Sequence, residues 1–120
     1  MRDYTKYEVW QKDHEFTLFI YQEILPLLPA SEKYDLYSQL KRAAYSIPLN
    51  ISEGCGRNSD KDFAHFLDNA MGSVNEAEYC GLLVKDLSYI SYERYRQLYT
   101  FTNEIESKLI NLIKKIRSGS

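Results

Sequence analysis

The feature that most constrains the fold of this chain is a seven-residue apolar repeat that occurs twice in its C-terminal half. Alternating spacings of three and four residues place the apolar positions along one side of an α-helix. The first copy comprises Phe63, Leu67, Ala70, Val74, Ala77, Gly81 and Val84. The second comprises Tyr95, Leu98, Thr102, Ile105, Leu109, Leu112 and Ile116. The two stripes predict two long helices of similar length that pack along each other.

Two more helices are predicted in the N-terminal half. The first runs from about residue 7 to 26 and ends at a proline, which lacks an amide donor and clashes with the preceding turn. Ser31 is expected to N-cap the second helix, which covers about residues 32–53 and is kinked by the internal Pro48. The stripe of the first helix consists of Val9, Phe16, Ile20 and Leu27.

The third helix is predicted to begin after Asn58, because Ser59 and Asp62 have the spacing of a capping box. The fourth helix is predicted over residues 92–116. Four amphipathic helices joined by short links favour an all-α, antiparallel up-down-up-down four-helix bundle.

The length of 120 residues fits a single domain over 1–120, with an ordered core of about 7–117 and a flexible tail at 118–120. Only two cysteines are present, no apolar run is long enough to span a bilayer, and no secretory leader is visible, so a cytoplasmic location is expected. The formal charge of −2 argues against a uniformly basic nucleic-acid binder.

A motif in the second helix carries more specific information. Residues 39–57 read QLKRAAYSIPLNISEGCGR. This segment resembles the pattern Q-L-R-R-A-x-x-S-I-x-x-N-I-A-E-G-x-G-R of the family of the 23S rRNA intervening-sequence protein, also called the S23 ribosomal protein family. The resemblance extends over about residues 8–117. Lys41 and Ser52 depart from the pattern, and Lys41 loses the guanidinium fork of the usual arginine.

The resemblance implies a four-helix bundle that assembles into a ring, usually a homopentamer. It implies no enzymatic activity and no cofactor. A more distant relative, the accessory variability protein of diversity-generating retroelements, binds a reverse transcriptase and nucleic acid. The resemblance therefore points to an oligomeric, non-catalytic adaptor, with RNA or DNA and a nucleic-acid-handling enzyme as possible partners.

Four residues of the motif allow two interpretations: Asn50, Glu53, Gly54 and Arg57. In the favoured, structural interpretation, Asn50 satisfies the backbone opened by Pro48, Glu53 pairs with Arg42 or Arg57, and Gly54 caps the helix with a positive φ. In the alternative, the four residues form a recognition surface near the turn between the second and third helices.

Clustered tyrosines also allow two interpretations. Tyr34, Tyr37, Lys41 and Tyr45 share one predicted helical face, on which the aromatic rings suit either base stacking or a subunit contact. The subunit contact is preferred, because tyrosine is enriched in interfaces. The predicted oligomer interface comprises two clusters, one on the second helix with Tyr34, Tyr37 and Tyr45, and one on the fourth helix with Tyr92, Tyr95 and Tyr99.

Basic residues near the end of the fourth helix either bind nucleic acid or complement the helix dipole, and the second explanation is the simpler one. A ring would multiply the number of such patches. The candidate nucleic-acid contacts are Lys41, Arg42, Arg57, Lys61, Lys108, Lys114, Lys115 and Arg117.

The sequence offers no convincing metal or catalytic site. His65 has Asp62 and Asp68 at three-residue spacing, which is typical of a solvated charged face, and no nucleophile–base pattern is present. Two functions remain open. One is a nucleic-acid-associated oligomeric adaptor, and the other is a protein-only scaffold, which the acidic balance and the 11 tyrosines favour.

Overall fold

The computed structural model describes residues 2–119 of the chain and contains four long α-helices. They are α1 (Glu8–Phe19), α2 (Leu36–Cys55), α3 (Asp60–Asp86) and α4 (Tyr92–Arg117). Within this range no residue adopts a β-strand. The predicted all-helical class is therefore confirmed.

The four helices pack side by side in chain order, and α4 returns to pack against α1. Ion pairs show that α1 and α4 run in opposite directions, because the start of α1 meets the end of α4. Glu8 pairs with Lys108, Lys12 pairs with Glu104, and Glu23, in the turn after α1, pairs with Arg94. The result is a bundle about 45 Å long.

The two seven-residue stripes line the core of the bundle. Every member of the α3 stripe is buried. In α4, Leu98, Thr102, Ile105 and Leu109 are buried, whereas the terminal members Tyr95, Leu112 and Ile116 are half-buried.

The first helix is shorter than predicted. Regular α1 stops at Phe19 and continues as a π-helical turn (Ile20–Ile24) and a 3₁₀ turn (Leu25–Leu27). The change of winding shifts the apolar register. Leu27, which was expected in the core, is therefore 49% exposed, and Leu28 is buried in its place.

The predicted start of the second helix is also wrong. Residues Ala30–Glu32 form a separate 3₁₀ turn, so Ser31 does not cap α2. The N-cap position is Asp35, and its side chain makes no capping hydrogen bond. The carboxylate of Glu32 instead accepts a long hydrogen bond, 3.5 Å, from the Leu36 amide.

Pro48 lies inside α2, which continues as one helix from residue 36 to 55. A proline at this position leaves the carbonyl of Ala44 without its usual intrahelical donor. The Thr17 hydroxyl lies 3.3 Å from that carbonyl oxygen and 2.9 Å from the Asp13 carbonyl oxygen on its own helix. A side chain of α1 thus supplies a donor where α2 lacks one.

The predicted start of α3 is confirmed, because the Ser59 hydroxyl accepts a hydrogen bond of 3.1 Å from the Asp62 amide. Ser91 caps α4 in the same way. Of the predicted tail, Ser118 and Gly119 form a turn, and Ser120 lies outside the described residues. No helix in the described part of the chain has the length and apolarity needed to cross a membrane.

The core contains one carboxylic acid that the sequence analysis missed. Asp13 is fully buried, and neither of its carboxyl oxygens has a hydrogen-bond partner. Burial raises its pKa to about 9, so the group is neutral at physiological pH. The signal was present in the sequence, because Asp13 stands four residues after Val9 and three before Phe16, in register with the stripe.

Candidate nucleic-acid interface

One end of the bundle gathers three separate parts of the chain. It consists of the residues before α1, the turn between α2 and α3, and the last turns of α4, and we call it the turn end. The N-terminal segment is fixed there because the Arg2 amide donates to the Cys55 carbonyl. The end of α4 is fixed because the Arg117 guanidinium bonds the Asp68 carboxylate of α3.

The turn end contains six of the eight cations that were predicted to contact nucleic acid. They are Arg57, Lys61, Lys108, Lys114, Lys115 and Arg117. Lys41 and Arg42 do not join them, because they lie on α2 about 20 Å before the turn at 1.5 Å per residue. Lys41 lies over the ring of Tyr21, and Arg42 is exposed. These two candidate contacts therefore lie apart from the other six.

The cations at the turn end fall into two groups. Arg2, Lys108 and Arg117 form ion pairs with Asp60, Glu8 and Asp68. Other cations at this end have no carboxylate partner within the described chain. These unpaired cations are Arg57, Lys61, Lys114 and Lys115, whereas the charge of Lys6 acts on the nearby Asp3 carboxylate. Their charge is free to meet an external anion, whereas the pairs neutralise three of the nearby acids.

The pair between Arg117 and Asp68 is bidentate, with both guanidinium amino groups directed at the carboxylate. These hydrogen bonds lower the pKa of Asp68 below its usual value. Both side chains are about half exposed, so the pair contributes little to stability. Its geometric effect is to hold the end of α4 beside α3, which brings Lys114 and Lys115 to the turn end.

Two arginines stack on neighbouring phenylalanines at the α2–α3 turn. The Arg2 guanidinium carbon lies 4.5 Å from the ring centroid of Phe63, and that of Arg57 lies 4.7 Å from the centroid of Phe66. The close approach of α2 to these rings requires Gly54. A Cβ atom on Gly54 would lie 2.9 Å from both Phe63 Cδ1 and Phe66 Cβ.

The predicted roles of the motif residues are corrected by these contacts. Gly54 lies inside α2 without a positive φ and serves close packing, not capping. Arg57 stacks on Phe66, so it does not pair with Glu53, and Arg42 does not pair with Glu53 either. The Asn50 amide donates to the carbonyl of Ser46 at 2.8 Å and not to the carbonyl opened by Pro48.

A polar cleft of about 440 Å³ opens beside the stacked arginines and is lined by Arg2, Gly56, Arg57 and Asn58. The Arg2 guanidinium donates to the Arg57 carbonyl at 3.0 Å and to the Asp60 carboxylate. The Arg57 guanidinium and the Asn58 side-chain amide make no hydrogen bond within the described chain. Sequence reasoning missed Arg2, because only the fold brings residue 2 to this turn, and it considered Asn58 only as the residue before the third helix.

The two predicted clusters of interface tyrosines lie on different sides of the bundle, and the structure changes the membership of the first cluster. Tyr34 precedes α2 and is 84% exposed, so it does not extend the helical face of Tyr37 and Tyr45. Tyr37 is half-buried against the core. Tyr45 belongs to the α1–α2 face, which we define by the exposed residues Leu18, Tyr21, Tyr45 and Leu49.

The tyrosines of α4 lie on the opposite side. The rings of Tyr95 and Tyr99 are 6.2 Å apart, and Lys85 of α3 lies over Tyr95. Together with Tyr79 of α3 they define the α3–α4 face, and Tyr92 stands in the first turn of α4. Because the four helices pack in chain order, the α1–α2 face and the α3–α4 face point in opposite directions.

Within residues 2–119 no three His, Cys, Asp or Glu side chains are grouped so that they could hold a metal ion. The His65 ring stands edge-on to Phe66, and Asp68 is bonded to Arg117. Both cysteines, Cys55 and Cys80, are buried, and burial raises the pKa of each thiol. Raised pKa values disfavour the reactive thiolates.

The family model described as 23S rRNA-intervening sequence protein matches residues 5–111. The chain belongs to the 23S rRNA-intervening sequence protein family. It is also similar to a crystallised protein of unknown function from the S23 ribosomal protein family of Bacteroides thetaiotaomicron. The two are 32% identical, with a TM-score of 0.81, and the similarity covers 88% of this chain and 98% of the other. No curated protein matches the chain.

This assignment confirms the resemblance that residues 39–57 carry. In this member of the 23S rRNA-intervening sequence protein family, the last part of the motif forms the turn end of the bundle. Because Gly54 has no side chain, the phenylalanines of α3 pack closely against α2 at this position, and Arg57 stacks on one of them. The motif therefore builds the turn at which the unpaired cations meet.

Proposed function

We propose that this protein is a non-catalytic, oligomeric adaptor that holds structured nucleic acid at the turn end of its bundle. The observation that carries the proposal is the convergence there of four unpaired cations, two from the turn between α2 and α3 and two from the end of α4. Phosphate contacts dominate the affinity of proteins for nucleic acids, and cations without an internal partner are available for such contacts. The partner protein in this proposal is a nucleic-acid-handling enzyme such as a reverse transcriptase, in the cytoplasm.

The acidic balance of the chain does not oppose this proposal, because the charges are unevenly distributed. Three acids at the turn end are already paired with Arg2, Lys108 and Arg117, which leaves Asp3, Glu53 and Asp62 against the cations of this end. The opposite end carries the acidic residues Glu32, Asp35 and Glu93 without an ion pair, and Glu23 and Asp86, which pair with Arg94 and Lys85. A nucleic acid would approach the turn end and be repelled from the other, so binding would be oriented along the bundle.

The test is an electrophoretic mobility shift with structured RNA and, separately, DNA across a range of salt concentrations. The triple variant Lys61→Ala, Lys114→Ala, Lys115→Ala should weaken binding. The slope of the logarithm of affinity against the logarithm of salt concentration should also become shallower, by the amount expected for the loss of roughly three phosphate contacts. The matched control removes three exposed cations outside the turn end: Lys33→Ala, Arg42→Ala, Arg96→Ala. The control carries the same net charge and should bind like the unsubstituted protein.

Equal losses in the two triple variants would show that only net charge matters and would overturn the assignment to the turn end. Absence of a shift at low salt with both RNA and DNA would overturn nucleic-acid binding altogether.

The proposed oligomer is a ring, most simply a homopentamer. The α1–α2 face and the α3–α4 face both expose aromatic side chains and point in opposite directions. Such an arrangement suits a heterologous contact in which one face of each subunit meets the other face of the next, which closes a ring when the rotation permits. Native mass spectrometry tests the ring. Tyr45→Glu should dissociate it, and Tyr34→Glu, outside both faces, should not.

A protein-only scaffold is the second candidate, and the exposed aromatic faces favour it. In that case the faces would bind another protein and the turn end would have no nucleic-acid partner. A defined protein recovered with the purified chain after nuclease treatment, together with no mobility shift, would favour the scaffold over the adaptor.

A further inference from the structure

We propose that the cleft lined by Arg2, Gly56, Arg57 and Asn58 is a phosphate-binding site, and that it holds one backbone phosphate of the nucleic acid. The second part rests on the proposed function. The first part depends only on the geometry of the cleft, so the two are tested separately.

The donors that face the cleft are unsatisfied. The guanidinium of Arg57 has five N–H donors, none of which bonds another described residue. The side-chain amide of Asn58 also lacks an internal acceptor. A phosphate accepts several hydrogen bonds at once and pairs well with the planar guanidinium fork. A cleft with free donors and no free carboxylate on its lining therefore suits this anion.

The two arginines are held in place before any ligand arrives. Each guanidinium lies over a phenylalanine ring of α3, and Phe63 and Phe66 are one helical turn apart. Arg2 is further fixed by its hydrogen bond to the carbonyl of Arg57. Stacking covers one face of a guanidinium and leaves its N–H edge available. A pre-positioned donor loses less conformational entropy on binding than a mobile side chain does.

The nearest acid does not cancel the charge of the site. Asp60, in the first turn of α3, is bonded to Arg2 and so compensates that arginine alone. The positive charge that remains in the cleft is that of Arg57. This distribution gives the two arginines different roles. Arg57 contacts the phosphate, and Arg2 shapes the wall of the cleft and neutralises Asp60.

The experiment titrates the ¹⁵N-labelled protein with inorganic phosphate and follows the Arg57 Nε–H and Asn58 side-chain resonances at constant ionic strength. Both resonances should shift as phosphate is added, and the shift should saturate. A chloride salt at equal ionic strength should leave both resonances unchanged. Arg57→Ala should abolish the saturable shift of Asn58, and Arg57→Lys should weaken it. The matched control Arg96→Ala, an exposed arginine on α4, should leave it intact.

The same variants are then measured with RNA. Arg57→Ala should weaken binding by about 10- to 100-fold, the usual effect of losing hydrogen bonds to a charged group, and Arg96→Ala should not. Saturation by phosphate without RNA or DNA binding would support the cleft and overturn the proposed function. RNA binding that Arg57→Ala and Asn58→Ala leave unchanged, with no phosphate-dependent shift, would overturn the cleft and leave the proposed function standing.

Discussion

Trp10 and Asp13 lie one turn apart on α1, and the indole N–H of one and the carboxyl group of the other are both buried without a hydrogen-bond partner. Buried polar groups in proteins are normally satisfied, and each exception costs free energy. The His14 ring, which stacks on Trp10 at 5.3 Å, covers this part of α1 from outside. The helix therefore carries a local destabilisation that the other three helices do not share in the described structure.

Asp13→Asn should stabilise the protein increasingly as the pH rises. The folded-state pKa of Asp13 is about 9, whereas an unfolded aspartate titrates near pH 4. Between those values only the folded state holds the proton, so stability falls with rising pH by about 1.4 kcal/mol per unit relative to the variant. Urea unfolding at pH 5, 6, 7 and 8 measures the difference.

The control for this prediction is Glu53→Gln, which makes the same charge change at an exposed position. Its effect on the free energy of unfolding should stay small and nearly constant over the same pH range. A constant difference between Asp13→Asn and the unsubstituted protein would show that Asp13 is ionised in the folded state.

Gly81→Ala and Gly72→Ala should change stability in opposite directions, although both glycines lie inside α3. A Cβ at position 81 would lie 2.7 Å from Cδ2 and 2.8 Å from Cδ1 of Leu98, which is fully buried, so the Leu98 side chain would have to shift within the core. We expect a loss of about 1–3 kcal/mol from this overpacking.

At Gly72 no atom lies within 4 Å of the added carbon, so the helix propensity of alanine should add about 1 kcal/mol. Thermal and chemical unfolding of the two single variants test this contrast. A stabilised Gly81→Ala variant would mean that α3 and α4 are farther apart than described.

Thr17→Val should destabilise the bundle by about 1 kcal/mol, because it removes the hydroxyl near the carbonyl that Pro48 leaves unpaired. In a Pro48→Ala background the amide of residue 48 can bond the Ala44 carbonyl, so Thr17→Val should cost less. A double-mutant cycle measures this coupling. Equal costs in the two backgrounds would show that the hydroxyl serves only the Asp13 carbonyl on its own helix.

Arg117→Ala should raise the pKa of Asp68 towards its ordinary value, because the guanidinium hydrogen bonds hold it low. The free energy of unfolding should change by less than about 1 kcal/mol, as is usual for an exposed pair. An NMR titration of the Asp68 carboxyl carbon measures the shift, with Lys114→Ala as the control. An unchanged pKa would mean that the pair is not formed in solution.

The helical core was predictable because its signal is local. Apolar residues that recur at three and four positions identify the buried side of a helix whatever surrounds it, and the α3 stripe is buried throughout. The Ser59 cap was predictable for the same reason. The predictions are wrong where the helical winding changes from α to π or 3₁₀. The π-helical turn shifts the register, so Leu27 lies outside the core. Ser31 belongs to a separate 3₁₀ turn, so it does not cap α2.

The candidate site was predictable only as a set of residue types. Arginine and lysine in the motif and in α4 indicated possible anion contacts, but their spacing in the chain does not say which of them meet. Lys41 and Arg42 belong to the motif and were grouped with the tyrosines of the second helix, and helix geometry places them about 20 Å from the turn. Arg2 was missed because its contacts join residues separated by more than fifty positions, and Asn58 was considered only as the residue before the third helix.

The sequence alone determined that the chain forms four helices, which sides of them are buried, and to which family the motif of residues 39–57 belongs. These properties depend on the chemistry of residues close together in the chain. Only the tertiary structure decided that Arg2, Arg57 and the end of α4 share one end of the bundle, and that Asp13 is buried without a partner. Such properties depend on antiparallel packing, which brings distant segments together and excludes water from the space between them.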